Sequence, residues 1–304
     1  MKAEYFPEAG LSDTERESED RKVTYTLQNS HLTVSISDIG AELVSVRHRG
    51  EERLWQNPDG SWAGHAPILF PFAGRCTMLL DGVNYGTGFH GFATKERFRT
   101  IHSSQTEVTL EMTDSARTAQ PYPFQFAFSV TYSVREDVLE VRYGVENRSA
   151  VPMYFACGAH ESYSLPRAAE CFGLKFEQEE NFSYQLHDAL GRLTGQTEEH
   201  GTGTVLPLEN RDDAVGNTVI LQQIRSRKVQ LIALDTQATL AEVSFPDFPN
   251  LLLWHEKDSD YICIEPWQNL PDAADGVQEF GEKPGVQCLQ PGQTGEYLHT
   301  IRYC

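Results

Sequence analysis

The chain has 304 residues, with 25 Lys and Arg against 44 Asp and Glu, for a formal net charge of −19. A field of that sign repels nucleic acid and anionic membrane surfaces. No apolar run reaches the ~20 residues of a membrane-spanning helix, and the N-terminus, with no apolar stretch after Lys2, does not read as a secretory signal.

In chain order, residues 1–22 read as a polar tail without fixed structure, and 23–304 as a single domain. From residue 23 the dominant period is two. Val23–Leu27, His31–Ser37, Ala41–Val46 and Glu107–Thr113 are β-like. Phe124, Phe126, Phe128, Val130, Tyr132 and Val134 then alternate with small or polar residues. After a polar turn at Arg135–Asp137, the alternation resumes in Leu139, Val141, Tyr143 and Val145. Such a pair predicts a long antiparallel hairpin with one covered face. Further β-like runs follow at Met153–Cys157, Val229–Leu234, Thr239–Phe245, Leu251–Trp254 and Tyr261–Ile264. Helical stripes with a period of 3.6 are absent. The pattern predicts an all-β fold, a large antiparallel β-sandwich with function carried on its loops. The stretch 187–217 is polar and Gly-rich and reads as a long surface loop.

Gly86-Thr87-Gly88-Phe89-His90-Gly91 spells GxGxxG, and Glu111 stands where a ribose-binding acid would be expected. A dinucleotide site also needs a preceding strand and a helix opening at the third glycine. Phe92–Gln105 is too poorly patterned for that helix, so the glycines are read as shaping a loop that presents His90. Six cysteines, at 76, 157, 171, 263, 288 and 304, contain no CxxC pair and read as reduced thiols. No HExxH motif is present, and His90 and His160 each offer a single imidazole. A His-His-Glu centre assembled from distant strands is the alternative to the reading of no metal.

Three segments carry candidate chemistry. His90 lies between aromatics in a Gly-rich stretch. His160 follows a β-like run and a glycine. Glu265 ends the apolar strand Tyr261–Ile264, where an unpaired carboxylate is costly. Each alone is read more simply as a packed histidine or a solvated strand end. Together, beside aromatic residues, they have the make-up of a site for a small polar ligand.

These residues resemble a known family. Ala66-Pro67-Ile68-Leu69-Phe70-Pro71 followed by Gly74-Arg75, then His90-Gly91-Phe92-Ala93, then Gly158-Ala159-His160, and Cys263-Ile264-Glu265-Pro266-Trp267 with Leu270-Pro271-Asp272 are similar to the aldose 1-epimerases of the galactose mutarotase-like superfamily. The similarity runs from about residue 23 to the C-terminus. It implies a supersandwich with the sugar in an open cleft. It implies Glu265 as general base at the anomeric hydroxyl, His160 as the acid at the ring oxygen, His90 as an auxiliary donor and Arg75 as a sugar ligand. It further implies a cytoplasmic protein, monomeric or homodimeric, with a small sugar as partner and no cofactor.

The chain departs from the family pattern at three places. Glu161 follows His160 where a proline is usual, a carboxylate expected to raise the pKa of His160 or reshape the subsite. Thr94, then Lys95, follows His90–Ala93 where an arginine is usual. Asn217 aligns with a family acid that binds substrate. Trp267 reads equally as a sugar platform or as core. Trp62 and His65 read as packing rather than cleft lining, and Asp272 as a turn cap. A non-catalytic sugar-binding protein and a sugar-phosphate mutarotase, the latter needing a basic cluster, remain the alternatives.

Overall fold

The computed structural model describes residues 22–58, 60, 62–209 and 218–304. The expected tail therefore lies, apart from Lys22, outside the described residues. Every paired strand among them is antiparallel, and helix is limited to short 3-10 turns at Ala93–Lys95, Ala169–Cys171 and Phe280–Glu282. The all-β reading holds.

Strands β1 (Thr24–Gln28), β2 (Leu32–Ser37), β3 (Leu43–His48) and β4 (Glu51–Glu52) form a four-stranded sheet. The hairpin β5 (Arg75–Leu80) and β6 (Val83–Phe89) stands alone. A meander follows: β7 (Arg99–Ser103), β8 (Glu107–Thr113), β9 (Phe126–Arg135) and β10 (Val138–Asn147). β9 and β10 pair in the register the alternation predicts, with Val141 opposite Tyr132. Then come β11 (Met153–Phe155), β12 (Glu161–Ser164), β13 (Phe172–His187), β14 (Leu193–Pro207), β15 (Val219–Leu221), β16 (Lys228–Ala233) and β17 (Thr239–Ser244). The chain closes with β18 (Asn250–Trp254), β19 (Tyr261–Trp267), β20 (Gln287–Leu289) and β21 (Thr294–Tyr303).

One 13-stranded sheet runs β12-β19-β18-β15-β13-β16-β17-β21-β10-β9-β8-β7, with β14 joined through β13. Its inward side chains share one apolar cluster with those of the four-stranded sheet: Val34, Ile36 and Leu43 pack with Phe128, Val141, Val243, Ile262 and Ile301. Each fully buried aliphatic contributes about 1.5–3 kcal/mol.

Two expectations are corrected. The stretch read as a loop, 187–217, holds the whole of β14. That strand pairs with β13 alone, across three register shifts, and is exposed along most of its length. Of its residues Leu206 alone is buried with the core, so no apolar alternation betrayed it. Strand β19 does not stop at Glu265 but continues through Pro266 to Trp267. Ala159 N donates to Pro266 O, so the side on which proline lacks its N–H faces residues 156–160. There the regular β12 ladder has already ended at Glu161, opposite Ile264. Proline breaks no ladder bond at that position.

Candidate active site

Alternation in β19 sorts its residues between two environments. Ile262 and Ile264 enter the main core, whereas Tyr261, Cys263 and Trp267 pack in smaller clusters on the other face. Glu265 belongs to that second row by parity. The row floors a cleft of about 660 Å3 that brings together Glu265, Trp267, His160, His90 and Arg75. Trp62, Phe89, Leu190, Leu252 and Trp254 complete its walls. Four of the five described residues expected to act on a ligand thus come from separate segments, and all five converge. The sixth, Asn217, lies outside the described residues.

Glu265 is fully buried, and neither carboxylate oxygen has a hydrogen-bonding partner in the protein. His160 Nε2 lies 3.4 Å from Oε2, and the Trp267 indole is close enough to favour the charged carboxylate without making a well-formed hydrogen bond. Burial holds the Glu265 carboxyl well above the ordinary carboxylate range. Burial also pulls the His160 imidazole down to about 4. Both shifts disfavour charge, so without ligand the pair prefers a protonated carboxyl and a neutral imidazole.

The field of Glu161 acts on His160 in the expected direction, but the carboxylate does not reach the cleft and does not set the net shift. Its side chain has the parity of Ile264 and turns into the core, where Oε1 meets His299 Nε2 at 2.8 Å. Its field does favour protonated His160, but burial outweighs it and the net shift is downward.

His90 follows β6 with φ +60°, a left-handed conformation uncommon outside glycine. Gly74 N–H donates to His90 Nδ1 at 3.1 Å. Burial and the neighbouring His160 push the ring well below its usual pKa. A neutral ring that accepts at Nδ1 carries its proton on Nε2, leaving one N–H to offer a ligand. Gly91, also left-handed, is required here: a Cβ would lie 2.0 Å from Phe70 O. Gly86 and Gly88 sit within β6 rather than in a loop, and no α-helix follows, so the dinucleotide reading fails on context.

Arg75 opens β5. Its Nε donates to Leu190 O at 2.9 Å, tying it to the β13–β14 connection. Asp272 is more than a turn cap. Its N–H donates to Arg75 O (2.8 Å), its Oδ2 accepts from Thr77 N (2.7 Å), and its Oδ1 pairs with buried Lys283. This clamp fixes the backbone that presents Arg75.

Trp267 is both core and cleft floor: it is 2% exposed and meets His90 edge-on, with ring centroids 5.4 Å apart. Trp62 was undervalued by sequence. It stacks on His160 at 5.3 Å and lines the cleft. His65, by contrast, is structural: its backbone N–H donates to Glu42 at 2.9 Å. Trp254 and Phe89 were missed as lining residues. Trp254 stands opposite Cys263 across β18–β19, a register that a one-chain pattern cannot reveal.

A family model described as aldose 1-epimerase matches residues 23–295. Over 303 aligned residues the chain is 28% identical to a protein of Lactococcus lactis subsp. lactis named Protein LacX, chromosomal, covering 92% of this chain and 99% of that protein. A crystal structure of a galactose mutarotase-like protein from Lactobacillus casei superposes with a TM-score of 0.85 at 26% identity, covering 93% of this chain and all of that one. A galactose mutarotase related enzyme from Lactobacillus acidophilus gives 0.83 at 29% identity, covering 93% and 97%.

Proposed function

The chain belongs to the aldose 1-epimerase family, and from that premise we propose that it interconverts the α and β anomers of a free hexose or related neutral sugar. The observation that carries the reading is the juxtaposition of Glu265 and His160, 3.4 Å apart on the cleft floor.

Glu265 takes the proton of the anomeric hydroxyl, and His160 gives a proton to the ring oxygen. The C1–O5 bond breaks, its electron pair goes to the protonated ring oxygen, and the open aldehyde rotates about C1–C2. Reclosure on the other face returns both protons. Ring opening converts carboxylate and imidazolium into carboxylic acid and imidazole, the uncharged form that burial favours. The cleft therefore favours the open-chain stage. Incoming sugar hydroxyls solvate the charged pair from which opening starts. His90 Nε2–H donates to the ring oxygen, Arg75 holds a sugar hydroxyl, and Trp267 and Trp62 offer apolar faces.

Arg75 is the single Lys or Arg lining the cleft among the described residues, which favours an uncharged sugar over a sugar phosphate. Polarimetry on freshly dissolved α-D-glucose and α-D-galactose tests the reading. Acceleration by the wild type that disappears in Glu265→Gln supports it. Saturable sugar binding without acceleration, unchanged in Glu265→Gln, contradicts it and points to a non-catalytic binder.

A further inference from the structure

We propose that the acid–base pair together with Cys263 forms a binding site for a thiophilic divalent cation, zinc above all, and that the bound cation switches the cleft off. Inhibition rests on the mutarotase reading; binding does not.

Cys263 precedes Glu265 by two residues on β19 and so shares its face of the strand. Donor atoms of His160, Cys263 and Glu265 all lie within 4.8 Å of one another. A tetrahedral zinc with N and O bonds of about 2.0–2.2 Å has ligand atoms roughly 3.4 Å apart. His160 Nε2 and Glu265 Oε2 already stand at 3.4 Å. The sulfur, with a bond of about 2.3 Å, must come to roughly 3.6 Å from the other two donors, an inward movement of at most about 1.2 Å from the 4.8 Å bound.

The site costs few existing interactions. Neither oxygen of buried Glu265 makes a well-formed hydrogen bond in the protein, so coordination displaces at most a weak contact with the Trp267 indole. The sulfur faces Trp55 and Tyr261, an apolar backing that keeps water from behind the metal. Three protein ligands leave a fourth position open to the cleft, the arrangement in which zinc retains water or an incoming hydroxyl. A thiolate in the set selects zinc, cobalt or cadmium and gives no purchase to magnesium or calcium. A cation there occupies the base and the acid at once.

The test uses the full chain carrying Cys171→Ser, Cys288→Ser and Cys304→Ser, which removes the half-buried and exposed thiols. Cobalt(II) is added as an optical probe. A thiolate-to-cobalt charge-transfer band that vanishes with the further change Cys263→Ser supports the site. A cobalt spectrum without that band overturns it. In parallel, zinc should stop mutarotation while magnesium does not. Cys263→Ser should keep the zinc-free rate and need at least about tenfold more zinc for inhibition. An unchanged zinc midpoint in that variant overturns the proposal. Should Cys263→Ser fail to fold, X-ray absorption on the zinc-loaded parent decides. One sulfur at about 2.3 Å supports the site, and a shell of nitrogen and oxygen alone refutes it. Because the spectra need no turnover, a chain that binds cobalt through Cys263 without mutarotating loses the function reading and keeps the metal site.

Discussion

His160 Nε2 lies 3.4 Å from Glu265 Oε2, and the two groups are shifted in opposite directions by one cause, burial. Each is more comfortable uncharged. The pair therefore stores one proton that either partner can hold.

Glu265→Gln should slow mutarotation by about 10²–10⁴-fold, the usual contribution of a positioned acid or base. The same substitution should stabilise the fold at neutral pH. The Glu265 carboxyl titrates in the folded state well above the ordinary glutamate value of 4.5, so the folded chain holds a proton that the unfolded chain releases. Wild-type stability falls as pH rises from 4.5 toward that raised value. The melting-temperature advantage of the variant should widen over the same range. A gap independent of pH contradicts this.

His160 gives the opposite slope. Its folded pKa, about 4, is below the ordinary histidine value of 6.5, so between these values the unfolded chain binds the extra proton. The stabilisation is complete above 6.5 and is lost as pH falls toward 4, by about 3 kcal/mol. Urea unfolding of wild type and His160→Asn at several pH values should show the variant lacking this loss. Parallel curves would show that the imidazole is not held neutral by the fold.

The Asp272–Lys283 pair should matter through Arg75. Lys283→Met leaves a buried carboxylate without its cation, at a cost of about 3–5 kcal/mol. The double change Asp272→Leu with Lys283→Met should recover part of that loss while raising KM, since Arg75 then loses its fixed backbone. A double variant no more stable than Lys283→Met, or with an unaltered KM, refutes the clamp.

Gly91→Ala should be poorly tolerated. The position has φ +70°, and the added Cβ meets Phe70 O at 2.0 Å. A loss well above about 1 kcal/mol is expected, with His90 displaced and mutarotation reduced. A thermal melt within a degree of wild type would mean that the turn can adapt.

Strands that cover core were legible because a half-buried strand writes its environment into every second residue, as β9 and β10 do. β14 was not, because it buries almost nothing and its Gly-rich composition imitates a loop. His90, His160 and Glu265 could be picked out by residue type and local setting, whereas Arg75 came from the family resemblance alone. Their convergence was not legible, since it depends on pairings such as Glu161 with Ile264 that join distant segments. Glu161 opens β12 opposite Ile264, whose alternation places it on the core face. Trp62 and Trp254 lacked any chain-local signal separating a cleft aromatic from a core one.

The central claim is that Glu265 and His160 act as one unit. Anomeric exchange rates of glucose and galactose, measured by NMR for wild type, Glu265→Gln, His160→Asn and the double variant, test it most directly. The account predicts a large loss in each single variant and no appreciable further loss in the double, as for groups that share one step. Losses that multiply, or a single variant that keeps its rate, would contradict it.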